Sequence, residues 1–131
     1  MFDRFDRTAL TRGLVEAIAI AVPIGLSAGT LAEGSWAVTP LSLIVFVGLI
    51  GGAAVAAARQ DRGLPMSHGL VTALGAVAVA QILGTVRRLL ADDPIRAGRV
   101  LSNVLLAIIA GTIGGLVGSR RAHRNLNGAN R

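Results

Sequence analysis

Three stretches of this chain carry no charged side chain, and each is long enough to cross a bilayer. Residues 34–58 form a run of 25, residues 63–86 a run of 24 with His68 counted as neutral, and residues 100–119 a run of 20. About 20 mostly apolar residues of helix span the hydrocarbon core. A fourth stretch, about residues 13–32, is interrupted once, by Glu16. The four spans, about 13–32, 38–58, 66–86 and 100–119, take up most of the 131 residues. Little chain is left for a folded extramembrane domain. Charged residues make up 15% of the sequence and sit in blocks between the spans, where a soluble domain carries about 25% spread over its surface. The expected fold is all-α, a four-helix transmembrane bundle. Residues 1–12 form a short N-terminal segment, and residues 120–131 a flexible basic tail.

The first span also has the outline of a cleaved signal peptide, with upstream Arg residues, Pro23 and the tail Thr30-Leu31-Ala32. Glu16 inside it and three further spans after it favour a retained helix, bent at Pro23. All 13 basic residues are Arg, and nine of them fall on the side that would hold both termini and the second loop. The positive-inside rule puts that side in the cytoplasm. The third loop, with Arg87, Arg88, Arg96 and Arg99, dissents, although Asp92 and Asp93 lie among them. Trp36 suits the outer interface, and Phe2 and Phe5 suit a short inner-surface anchor. An all-Arg, Ala- and Gly-rich composition points to a GC-rich bacterial genome, and so to a multi-pass protein of the plasma membrane.

Helices in lipid associate through close backbone approach, which small residues four apart permit. Span 1 offers Gly13, Ala17, Ala21, Gly25 and Gly29; span 2, Gly48, Gly52 and Ala56. Span 3 offers Thr72, Ala76, Ala80 and Gly84; span 4, Ala107, Gly111, Gly115 and Ser119. Such faces serve packing within the bundle or assembly with another chain. The chain also looks duplicated. Gly13-Leu14-Val15-Glu16-Ala17 parallels Gly69-Leu70-Val71-Thr72-Ala73, and Gly48-Leu49-Ile50-Gly51-Gly52 parallels Gly111-Thr112-Ile113-Gly114-Gly115. Two parallel helical hairpins are the expected arrangement, as in some transporters.

The runs Ile50-Gly51-Gly52, Ala56-Ala57-Ala58-Arg59, His68-Gly69-Leu70 and Ala110-Gly111-Thr112-Ile113-Gly114-Gly115-Leu116-Val117-Gly118 resemble small four-span bacterial membrane proteins of the YrzE type. The resemblance covers roughly residues 13–119. It implies the four-span architecture and carries no activity with it. The Arg-rich third loop and tail depart from the pattern.

Few residues offer chemistry. Glu16 and the borderline His68 are the ionisable groups within the spans, and such groups mark functional sites by default. Glu16 could couple transport to protons, as in small multidrug transporters with one Glu in the first of four spans. The chain lacks their aromatic residues, however, having one Trp, three Phe and no Tyr. The plainer reading pairs Glu16 with Arg12, one helical turn before it, at the membrane interface. His68 reads as an interfacial cap or as a proton acceptor near neutral pH. Gln81 and Asn103 read as hydrogen-bonding links between helices. Asp93-Pro94 reads as the N-cap and first position of a fourth helix. Arg96, Arg99 and Asn103 on its face could meet lipid phosphates, an anionic polymer or a partner protein.

There is no Cys, no metal-ligand constellation and no phosphate-binding, hydrolase or deaminase motif. Neither cofactor nor metal is expected, and the basic tail lacks the aromatic residues of a nucleic-acid binder. The expectation is a non-enzymatic structural or accessory membrane protein. Its partners would be a bilayer with anionic headgroups and either further copies of itself or a larger membrane protein. A small oligomeric transporter or channel using Glu16 is the alternative, and a holin-like lesion former a third.

Overall fold

A computed structural model of the protein describes residues 5–28, 31, 35–61, 63–93 and 97–129, with side chains described as far as residue 122. Its elements are four helices, α1 (Arg7–Ala28), α2 (Val38–Arg59), α3 (Pro65–Leu90) and α4 (Ala97–Ala129). Each contains a stretch long and apolar enough to cross a membrane. Asp6 caps α1, its Oδ1 accepting from the N–H groups of Thr8 at 2.9 Å and Ala9 at 3.1 Å. Pro65 opens α3, where its missing N–H costs nothing. Asp92 closes α3 in the left-handed conformation, φ 51°, and the N–H of Asp93 turns back onto the carbonyl of Arg88 at 2.9 Å. The backbone of Asp93 thus closes α3. The expected start of α4 at Pro94, and Arg96 beside it, lie outside the described residues, as does Gly29.

Two boundaries differ from expectation. Helix α1 begins six residues before the expected start of span 1, because Asp6 provides a cap there. Helix α4 continues to Ala129 and takes in the stretch expected to be a flexible tail. No Pro interrupts residues 120–129 and the only Gly is Gly128, so each added residue keeps its backbone hydrogen bond. Pro23 sits within an unbroken α1.

The interior is the reverse of a soluble protein's. Among the described residues, eleven of the thirteen buried hydrophobic positions are Ala, the others being Leu49 and Val77. Large side chains such as Leu43, Val47, Ile82, Leu101 and Ile109 point outward. Water would drive those residues inward. Lipid does not, and leaves the inside to whichever residues let backbones meet. The protein is an integral four-helix membrane bundle.

Helices α2 and α3 form the centre and touch every other helix, whereas α1 and α4 do not approach each other among the described residues. A Cβ on Gly13 would lie 2.5 Å from the carbonyl oxygen of Gly52, and one on Gly52 would lie 2.5 Å from that of Gly13. The second hairpin repeats the contact: a Cβ on Gly69 would meet the carbonyl oxygen of Gly111 at 2.7 Å. Gly115 packs on Met66, and Gly114 and Gly118 pack on α2. Gly48 packs on Ile20 of α1.

The two hairpins are therefore alike, with one difference. Sequence similarity matches Gly48 with Gly111, but in the structure Gly111 occupies the place of Gly52. Each meets the carbonyl of the first glycine of its hairpin and the Cβ of the Ala four residues on, Ala17 or Ala73. The second hairpin has slipped by four residues, about one helical turn.

These contacts separate two kinds of glycine. Gly52→Val must force α1 and α2 apart, and overpacking of this sort costs about 1–3 kcal/mol. At Gly51 a Cβ meets nothing within 4 Å, so Gly51→Ala is expected to be neutral or to gain up to about 1 kcal/mol in helix propensity. Unfolding midpoints of the two variants in one detergent check the contrast.

Candidate functional site

The ends of the bundle differ. The near end holds the start of α1 and the α2–α3 turn, and there His68 is fully buried. Its Nδ1 lies 2.8 Å from the carbonyl oxygen of Leu64, and its Nε2 lies 2.9 Å from the backbone nitrogen of Asp6. The carbonyl only accepts and the amide only donates. In this arrangement Nδ1–H donates to the Leu64 carbonyl and Nε2 accepts from the Asp6 N–H. Phe5 tilts against it at a centroid distance of 5.2 Å. His68 thus joins the first residues of α1 to the first turn of α3. One of its two hydrogen-bond partners lies 62 residues away. The Asp6 carboxyl is held below its ordinary value of 3.8, chiefly by the N–H of Ala9, with help from the amides of Thr8 and Asp61. Thr72, one turn beyond His68, is buried with no partner for its hydroxyl among the described residues.

At the far end the helices part around a cavity of about 470 Å³. Its floor is apolar, formed by Ala21, Val45, Phe46, Leu49, Val77 and Leu106. Gln81 and Asn103 stand at its waist. The Nε2 of Gln81 is buried and has no hydrogen-bond partner among the described residues. Among the described residues the rim carries Arg87, Arg88, Arg99 and Asp93. Gly25 and Gly84 also line the space, and a Cβ on either would meet nothing within 4 Å. Gly25 therefore departs from the packing role expected of it. Its ladder mates Gly13, Ala17 and Ala21 are buried, but by Gly25 α1 borders the cavity. Gly48, Gly52, Gly111 and Gly115 do pack helices.

Arg12 and Glu16 sit apart from both regions. They are exposed on α1 and make no hydrogen bond or ion pair with each other or with any other described residue. The interfacial pair expected of them does not form within the chain. Ala17 packs on Gly52, seven residues before the end of α2, which places Glu16 about 10 Å inside that helix end. Glu16 does not line the cavity. No cluster of three or more His, Asp or Glu that could hold a metal occurs among the described residues.

Sequence reasoning passed over the Asp6 cap and gave Phe5 an anchoring role at the membrane surface, not its contact with His68. An Asp directly before a helical run is the signal that could have found the first. Nothing local marks Phe5, whose partner is remote in sequence. No family model, curated protein or solved structure matches this chain.

The near-end contacts give two expectations. Because the Asp6 pKa is depressed in the folded state, its carboxylate stabilises the fold above the ordinary value of 3.8. That contribution is lost as pH falls through the lower, folded value. Asp6→Asn, which keeps a capping oxygen without the charge, should flatten the acid limb of the thermal midpoint against pH. His68→Leu leaves the Asp6 N–H without its acceptor and removes one of the two donors to the Leu64 carbonyl, which keeps the backbone N–H of residue 68. It should destabilise the bundle at neutral pH by about 1–3 kcal/mol, read as a lower midpoint in detergent.

Proposed function

We propose that this chain is a non-enzymatic structural or accessory subunit of a bacterial plasma membrane, docking on its partner through the exposed side of α1. The observation that carries the reading is the pair Arg12 and Glu16, exposed one turn apart and unpaired among the described residues. Charges at this depth are costly in lipid and are retained where something meets them. Thr8, Thr11 and Ser27 are exposed on the same helix, so α1 presents more polar surface than a lipid-facing helix needs. A partner helix offering an acid to Arg12 and a base to Glu16 would satisfy both. A second copy related by a twofold axis along the membrane normal offers that set, and so could a larger membrane protein. The glycine faces add nothing to docking, since Gly13, Gly52, Gly69, Gly111, Gly114, Gly115 and Gly118 are occupied inside the bundle. The YrzE-type resemblance agrees with this reading through its architecture. The transporter reading gains no support, because Glu16 borders neither the cavity nor the bundle interior.

The absence of Cys makes a direct test simple. A photo-crosslinker attached at Val15→Cys, beside the charged pair, is expected to capture one partner at fixed stoichiometry in native membranes. Glu16→Lys should abolish the product, and a probe at Leu101→Cys on α4 should not give it. Equal labelling from both positions, insensitive to Glu16→Lys, would refute docking through α1.

A further inference from the structure

We propose that the partner of α1 is a second copy of this chain. The two α1 helices lie parallel about a twofold axis along the membrane normal, with Arg12 of each copy against Glu16 of the other. This rests on docking through α1 and names what docks there.

Three observations lead to a second copy. The first is the order of the two charges. Arg12 and Glu16 are exposed one turn apart and hold no bond to each other or to another described residue. Within one helix, an acid four residues before a base pairs better than the reverse order, and here the base comes first. Between two copies the same residues are self-complementary. A twofold axis requires that where residue i meets residue j, residue j also meets residue i. Opposite charges about 6 Å apart along one helix satisfy this condition, Arg12 meeting Glu16 twice. Each carboxylate then has two guanidinium neighbours, one on its own helix and one across the axis, and the four charges sum to zero. A partner of different sequence would have to present both signs at the same spacing.

The second observation is register. Arg12, Glu16, Ala19 and Pro23 follow at intervals of four, three and four, and all are exposed. This is the heptad spacing of a seam between two parallel helices. In such a seam a side chain enters a hole formed by four residues of the facing helix. For Glu16 those four are Arg12, Val15, Glu16 and Ala19 of the second copy, so the seam itself brings the opposite charge alongside.

The third is the size of the side chains. Helices α2, α3 and α4 turn large aliphatic residues outward, Leu43, Ile82 and Leu101 among them, but Val15 is the only exposed large hydrophobic residue of α1. Past Glu16 the exposed positions Ala19, Pro23 and Ser27 are four apart and carry short side chains. Elsewhere in the bundle such residues lie where helices touch. Pro23 has no N–H to offer the carbonyl of Ala19, so this face also bears a backbone acceptor without its usual donor, a poor surface for lipid.

The chain has no Cys, so Ala19→Cys introduces a single thiol at the centre of the seam and exchanges one small side chain for another. Oxidised in native membranes, it is expected to yield a disulfide-linked product of two 13.4 kDa chains. Thr11→Cys, exposed on the same helix but off the seam, should react at least about tenfold more slowly, since a disulfide needs Cα atoms about 4.4–6.8 Å apart. Adding Arg12→Glu or Glu16→Arg to Ala19→Cys sets four like charges against one another and should slow the product at least about tenfold. Co-expressed, these two charge variants should form the mixed product at the rate of Ala19→Cys alone, because each supplies the sign the other lacks. No recovery in the mixed product, with both variants inserted, would overturn the proposal. Thr11→Cys reacting as fast as Ala19→Cys would also overturn it, since that marks random collision. If Ala19→Cys gives no dimer while the probe at Val15→Cys captures a different protein, the second copy is refuted and docking through α1 stands. If neither position gives a product, both fall. Ala19→Cys leaves the charges intact, so its result decides the matter where a charge variant fails to insert.

Discussion

Direct contact between helix backbones is what this bundle rests on. In water, a core of alanine would remove too little apolar surface to offset the entropy of ordering the chain. In lipid the helices are already formed, and the remaining question is which surfaces exclude lipid best. Gly13 on Gly52 and Gly69 on Gly111 bring two pairs of backbones together, and Gly114 and Gly118 bring α4 onto α2. Dispersion falls off within a fraction of an ångström of separation, so added methyl groups at these points would weaken many contacts at once.

The same contacts make the molecule unequal along its length. Glycine pairs and the buried His68 hold the near end, where the imidazole occupies the space between two helix starts. Toward the far end the small residues run out of neighbours, and the helices separate around a cavity. Polar groups follow this division. At the near end His68 has both its hydrogen bonds, whereas at the far end Gln81 retains a donor without a partner among the described residues. A packed end supporting an open one gives the open end a fixed geometry.

Much of the architecture is legible in the sequence because lipid imposes a simple rule. An uncharged run of sufficient length is a helix, and α2, read at 38–58, is found at Val38–Arg59. The faces that pack are partly legible as well, since Gly48, Gly52, Gly111 and Gly115 all meet neighbouring helices. What a face meets is less so. Gly25 continues the ladder of Gly13, yet the ladder outlasts the contact because spacing along one helix says nothing about where its neighbour diverges. The one-turn slip of the second hairpin is hidden for the same reason: matching residues need not occupy matching heights. The His68 contact joins residues 62 apart, and no local pattern records it. The helical continuation through residues 120–129 was obscured by polarity, which marks where a helix leaves lipid but not where it ends.

The position of α4 has a consequence for biogenesis. It touches α2 and α3 but not α1, and it does so through two glycine surfaces, Gly114 with Gly118 on one side and Gly69 with Gly111 and Gly115 on the other. A helix that must seat on two neighbours at once cannot dock correctly until those neighbours hold their final spacing. That spacing is set by α1, whose Gly13 fixes α2 and whose Asp6 amide fixes His68 at the start of α3. The order in which the chain leaves the ribosome is therefore also the order in which its contacts become possible. Helix α4, which follows α1, α2 and α3 in the chain, closes a groove that those three shape.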